Sequence, residues 1–143
     1  MATIKRNASA KWSGTGKEGK GAITTQSGVL SDTPYSFSRR FGEEKGTNPE
    51  ELIAAAHASC FTMALAFQLT GAGKPAESLD TSAVVSLEQI EGVFKISAIS
   101  LTLKAKVPGL SKDEFMKLAE AAKANCPVSK VLNATISLDA TLE

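Results

Sequence analysis

The sequence has 143 residues, 43% of them hydrophobic and 22% charged, which fits one soluble globular domain and excludes an intrinsically disordered chain. Sixteen Lys and Arg against fifteen Asp and Glu leave a net charge of +1, with no basic stripe of the kind a nucleic-acid or anionic-membrane binder needs. Two cysteines are too few for a disulfide scaffold or a four-thiolate zinc site, and the opening Met1 to Ala10 has no apolar core of a secretory signal. One cytoplasmic domain over residues 1–143 is expected, bound to neither nucleic acid nor membrane.

The first third reads as strands. Ile4, Ala8, Ala10 and Trp12 share one parity, Gly14 to Gly16 suits a turn, and Ala22 to Ser27 is β-prone up to Gly28. Pro34 to Phe41 also alternates, which predicts a strand with Tyr35, Phe37, Arg39 and Phe41 on one side. A helix then starts at Asn48 (cap), Pro49 (first turn) and Glu51, placed to bond back to the cap, and closes at Gly71 and Gly73. From Leu52 to Leu69 almost every residue is apolar or small, so the helix is expected to be buried all round. His57, Ser59, Thr62 and Gln68 argue against a membrane span. So small a domain has trouble covering such a helix alone, and an intertwined homodimer is the expected remedy.

Farther on, Leu79 to Leu87 alternates as a strand and Glu91-Gly92 makes a turn. In the strand from Phe94 to Val107 the apolar parity switches from even to odd, and a bulge near Ala98 would repair the register. Ser111 and Glu114 form a capping box for a helix that buries Phe115, Leu118, Ala119 and Ala122. Pro127 opens a short helix to about Leu132, and Ala134 to Leu142 closes the sheet. The expected class is α+β, with strands from both ends of the chain around a long central helix.

Cys60, Cys126 and His57 are the residues able to do chemistry near neutral pH. Cys126 precedes the first turn of a helix, whose positive end favours thiolate, whereas Cys60 lies in an apolar helix where burial raises its pKa. On that logic Cys126 is the reactive thiol. Two inert buried cysteines remain an open reading. So does a hydrolytic dyad of His57 and Cys60, three apart on one helix, although no oxyanion-binding turn stands nearby. A metal site of His57, Cys60 and Cys126 is a ligand short for structural zinc. Arg39 and Arg40, taken alone, read as a solvated pair.

The stretch from Arg40 through Gly46-Thr-Asn-Pro-Glu-Glu-Leu52 to Ser59-Cys60-Phe61, with Asn125-Cys-Pro-Val-Ser129 far downstream, resembles the OsmC/Ohr family, and the Gly46-Thr47 resembles its OsmC branch. The resemblance covers essentially the whole chain. It implies a dimeric thiol peroxidase for organic hydroperoxides, with no metal or organic cofactor and a dihydrolipoyl-type dithiol as reductant. It also implies Cys60 as the peroxidatic thiol and Cys126 as the resolving one, assisted by Arg40 and Glu50. That reverses the helix-end ranking, and the permanent cation of Arg40 is the group able to hold a Cys60 thiolate. Ile53, Ala56, Phe61, Met63 and Phe67 would supply an apolar wall that prefers organic hydroperoxides to hydrogen peroxide. A sensor or ligand-binding protein that is oxidised without turnover needs the same thiol pair and is the alternative. Glu50 and Cys60 lie ten residues apart on one helix, roughly 15 Å at the helical rise, so Arg40 or Glu50 is expected to serve the Cys60 of a second chain.

Overall fold

The computed structural model describes residues 2–143. The chain forms two compact units, Met1–Leu52 and Ile53–Glu143.

In the first unit β1 (Ala8–Ser13), β2 (Lys20–Thr25) and β3 (Thr33–Tyr35) make an antiparallel sheet in that order. Trp12 packs on Tyr35 with ring centroids 5.4 Å apart, yet every residue of β1 is exposed. The strand expected from Pro34 to Phe41 ends at Tyr35. Residues Phe37–Phe41 form a short helix, α1. Ser36 caps it by accepting from the Arg39 amide, and the rings of Phe37 and Phe41, one turn apart, meet at 4.9 Å. Ile4 lies before β1 and is exposed.

Arg39 then fastens the loop that follows. Its guanidinium donates to the Lys45 carbonyl at 2.8 Å and to the Ser36 hydroxyl at 3.2 Å, and pairs with Glu44 at 3.5 Å. A hydrogen bond from Ser38, followed by the charge of Arg39, holds the Glu44 carboxyl below the usual carboxylate range. Gly46 sits against this side chain with φ of 154°, and a Cβ there would collide with Arg39. The solvated arginine pair of the sequence reading is therefore corrected: Arg39 is a clasp.

The helix α2 (Pro49–Gly71) starts as expected, with the Asn48 side chain accepting from the Glu51 amide at 2.7 Å. The reciprocal bond of a capping box is not made. The Glu51 carboxylate accepts from the Thr47 hydroxyl instead, at 3.1 Å. At the other end the Lys74 amide donates to the Leu69 carbonyl and the Gly73 amide to that of Thr70, a Schellman closure with Gly73 at φ 75°.

The second unit is built on a sheet ordered β4 (Ser78–Ile90), β5 (Val93–Lys106), β6 (Thr135–Leu142), the first pair antiparallel and the second parallel. Glu91 and Gly92, both at positive φ, make the two-residue turn between β4 and β5. Ser86 pairs with Ala98 but Leu87 with Ile96, so Ser97 is the extra residue of a bulge. The predicted parity switch is thus real. One face of the sheet carries Ile99, Leu101, Leu103 and Ala105, all buried, with Leu79, Ala83 and Val85 on one side and Ile136, Leu138 and Ala140 on the other. They join one core with Phe61, Leu65 and Leu69 of α2 and with Phe115, Ala119 and Ala122 of α3 (Lys112–Asn125). Full burial of each large side chain contributes about 1.5–3 kcal/mol. The opposite face, with Ser78, Asp80, Ser82, Thr102 and Lys104, is polar apart from the exposed Val84, as suits an antiparallel pair with one wet side. Ser111 caps α3 by accepting from the Glu114 amide, and α4 (Pro127–Val131) follows after Cys126.

By length and mean hydropathy of 1.6, α2 could cross a membrane. Its stripe His57, Phe61, Leu65 and Leu69 instead fills the second unit's core. The expectation of burial all round is corrected, because Ala55, Ala56, Ser59, Met63 and Phe67 face outward, Met63 being 63% and Phe67 73% exposed. Composition shows that no face of a helix is polar; it does not show which face its own chain can cover.

Candidate active site

In the first unit, the turn from α1 into α2 brings Arg40 and Glu50 together. The guanidinium donates from Nε to Oε1 at 3.0 Å and from its terminal nitrogen to Oε2 at 2.9 Å. This two-pronged pairing fixes both planes, which a lysine could not do. Asn48 secures the approach by donating to the Arg39 carbonyl at 3.1 Å. Arg40 also lies over the Phe41 ring, 5.2 Å from its centroid, and keeps part of its surface open while Glu50 is almost covered. The structure thus joins two residues that the family resemblance named and that sequence spacing could not pair.

The second unit holds the thiols. Both cysteines are free, and each influences the ionisation of the other. Burial first, and then this interaction, push the Cys60 thiol above its ordinary value. Burial opposes ionisation of Cys126 as well. It is outweighed by the Cys60 thiol, the Ser129 amide, the Ser129 hydroxyl and the Val128 amide, which together bring Cys126 below its ordinary value. The two amides open α4, and neither forms an aligned cap bond with the sulfur. The Ser129 and Val128 amides act on Cys126 in the direction the helix-end argument predicts.

Access runs the other way. Cys126 is 0% exposed, while Cys60 is only half-buried. Cys60 follows Ala56 by four residues and precedes Met63 by three and Phe67 by seven, so it borders the open apolar stripe of α2. Beside that stripe lies a groove of about 630 Å³ lined by Ala58, Ser59, Thr62, Met63, Ala66 and Leu79 among others. Of the expected apolar wall, Ala56, Met63 and Phe67 do lie on this side. Phe61 does not, being wholly buried in the core.

His57 is also wholly buried, with Nε2 2.7 Å from the Ser129 hydroxyl. Burial lowers its pKa and keeps the ring neutral. His57 is a core histidine rather than half of a dyad with Cys60: its hydrogen-bond partner is Ser129, 72 residues away, a contact without any local sequence signal. Among the described residues no group of three or more His, Cys, Asp or Glu is placed to hold a metal ion.

Comparison with known proteins agrees with the resemblance carried by these residues. The family model for OsmC-like proteins matches residues 42–141. Peroxiredoxin OsmC of Escherichia coli (strain K12) is 50% identical over 141 residues, 99% of each chain. The organic hydroperoxide resistance protein of Xanthomonas axonopodis pv. citri is 35% identical over 133 residues, covering 89% of this chain and 87% of that one. The crystal structure of the organic hydroperoxide resistance protein OhrB of Bacillus subtilis superposes with a TM-score of 0.74 at 29% identity, over 98% of this chain and all of that one. With its thiols, its arginine–glutamate pair and a family match over most of its length, the chain belongs to the OsmC family.

Proposed function

We propose that this protein is a thiol-dependent peroxidase that reduces organic hydroperoxides, and hydrogen peroxide less well. The observation that carries the reading is the pair of free thiols, one half-buried at the border of the apolar stripe of α2 and the other wholly buried in the core. The relatives named as peroxiredoxin and as organic hydroperoxide resistance proteins support the same chemistry.

In this reading the Cys60 thiolate attacks the distal oxygen of the hydroperoxide. The O–O bond breaks, the alkoxide leaves as alcohol after taking a proton, and Cys60 becomes sulfenic acid. Cys126, whose ionisation is favoured by the start of α4, then attacks the Cys60 sulfur as thiolate. Hydroxide leaves to form water and an intramolecular disulfide remains. A dithiol of the dihydrolipoyl type restores both thiols by exchange and ends as its own cyclic disulfide. The two sulfurs thus divide two demands: the accessible one meets the bulky oxidant, and the acidic one resolves it.

Cys60 still has to lose its proton against its raised pKa. We assign that task to Arg40, oriented by Glu50, acting across a homodimer in which the open stripe of α2 and the exposed β1 are covered by a second chain. Apolar side chains at that interface favour a hydroperoxide with hydrocarbon to bury. A reducing cytoplasm suits a pair of cysteines that must return to the dithiol state.

A steady-state assay tests the reading. Cumene or tert-butyl hydroperoxide is expected to turn over many equivalents per chain with dihydrolipoamide, faster than hydrogen peroxide, with little support from thioredoxin. Consumption of a single equivalent with every donor would mean a sensor instead.

A further inference from the structure

His57 has no task in the chemistry just described, yet it occupies a costly position. Its ring is 0% exposed, Nε2 is committed to the Ser129 hydroxyl at 2.7 Å, and Nδ1 has no partner. The unpartnered nitrogen decides the tautomer. A proton on Nδ1 would bury an unpaired donor, whereas a proton on Nε2 leaves only an unpaired lone pair, the smaller penalty. Nε2–H then donates to the Ser129 oxygen. That oxygen's own proton is then free to turn toward Cys126, which stands three residues before Ser129 at the cap of α4 and whose ionisation the Ser129 hydroxyl favours. The tautomer thus leaves the hydroxyl proton available to the sulfur: imidazole donates to hydroxyl, and hydroxyl can donate to sulfur.

We propose that His57 and Ser129 are positioning residues for the resolving thiol, His57 orienting the Ser129 hydroxyl so that its proton supports the Cys126 thiolate. This rests on the reading of Cys126 as the thiol that attacks the Cys60 sulfenic acid. In that step the S–S bond forms, the S–O bond breaks, and hydroxide departs as water; the Ser129 proton stays on its oxygen and only stabilises the attacking sulfur. When a donor dithiol reopens the bond at the accessible Cys60, the same hydrogen bond stabilises Cys126 as it leaves. The neighbouring Val128 and Ser129 amides act on the same sulfur, so the hydroxyl adds to a site already prepared for negative charge.

The size of the effect follows from two opposing trends. A hydrogen bond to a charged group shifts the thiol by about one to two pKa units, raising the thiolate fraction about tenfold per unit, while nucleophilicity falls by about threefold per unit. The net gain is about three- to tenfold in resolution rate.

The test is a single turnover of the full-length protein with one equivalent of cumene hydroperoxide, quenched at intervals. Cys60 sulfenate is read by dimedone trapping and the disulfide by intact mass. In Ser129→Ala and in His57→Phe, which keeps the ring volume but has no donor, the ratio of resolution rate to sulfenate-formation rate is expected to fall about three- to tenfold. His57→Gln, whose amide N–H reaches to a similar place, is expected to recover most of it. An unchanged ratio in Ser129→Ala and His57→Phe would overturn the proposal. So would a His57→Gln as slow as His57→Phe, which would reduce His57 to a packing role. Absence of any Cys60 sulfenate in the wild-type protein would instead bring down the peroxidase reading, and this proposal with it.

Discussion

The two units of this chain bury different kinds of group. In Ile53–Glu143 the buried side chains are apolar, apart from His57, and they line one face of a sheet and the helices against it. Among the described residues of Met1–Leu52 the buried side chains with polar atoms are Ser36, Thr47 and Glu50, and no large apolar side chain is fully covered. One unit is organised by removal of hydrocarbon from water, the other by hydrogen bonds, ion pairs and turns. The difference maps onto the proposed chemistry. A dry core is the place to hold two thiols away from bulk water, and a hydrogen-bonded turn is the place to aim a cation whose planes must be set by a carboxylate.

Four substitutions sharpen that contrast. Phe115→Ala removes a wholly buried ring from the second unit and is expected to cost about 3–5 kcal/mol, read by denaturant unfolding, with loss of amide protection in β5. A cost below about 1 kcal/mol would deny that this core carries the stability of the unit. From the proposed role of Arg40, Arg40→Ala is expected to slow sulfenate formation about 10- to 100-fold at neutral pH, with recovery as the pH rises. Arg40→Lys should recover little, since a point charge cannot make the two bonds to Glu50 at 2.9 and 3.0 Å. Wild-type rates in Arg40→Ala would show that another group activates the thiol. Ser36→Ala removes the cap of α1 and a partner of the Arg39 clasp, for about 1 kcal/mol. Hydrogen exchange in the full chain should then quicken at residues 36–47 and leave α3 unchanged. Equal quickening in both would erase the distinction between the units.

Much of the second unit was legible because its signals are local and repeated. The change of apolar parity between Ile96 and Ile99 required a bulge, and Ser97 is that residue. Ser111 and Glu114 announced α3, and Gly73 with Pro75 beyond it closed α2. The first unit was harder. Tyr35, Phe37, Arg39 and Phe41 alternate like a strand, but Phe37 and Phe41 are also one helical turn apart behind a capping Ser36, and five residues are too few for periodicity to choose. The signal that would have decided it is the serine cap. Of the site, the two cysteines were evident from their scarcity and Arg40 and Glu50 from the resemblance to the OsmC/Ohr motif. Their pairing, and the contact of His57 with Ser129, come from the tertiary fold and leave no trace at any fixed spacing.

The acidity of Cys126 and the accessibility of Cys60 nominate different nucleophiles, and the account stands on accessibility aided by Arg40. Intact-mass spectrometry of Cys60→Ser and Cys126→Ser after one equivalent of organic hydroperoxide in the presence of dimedone decides between them. Cys126→Ser is expected to consume about one equivalent and carry a dimedone adduct on Cys60, because the first step does not use the resolving thiol. Cys60→Ser is expected to consume none, a serine hydroxyl being too weakly acidic to replace a thiolate. An adduct on Cys126 in Cys60→Ser, with none on Cys60 in Cys126→Ser, would contradict the assignment and restore the helix-end thiol as the nucleophile.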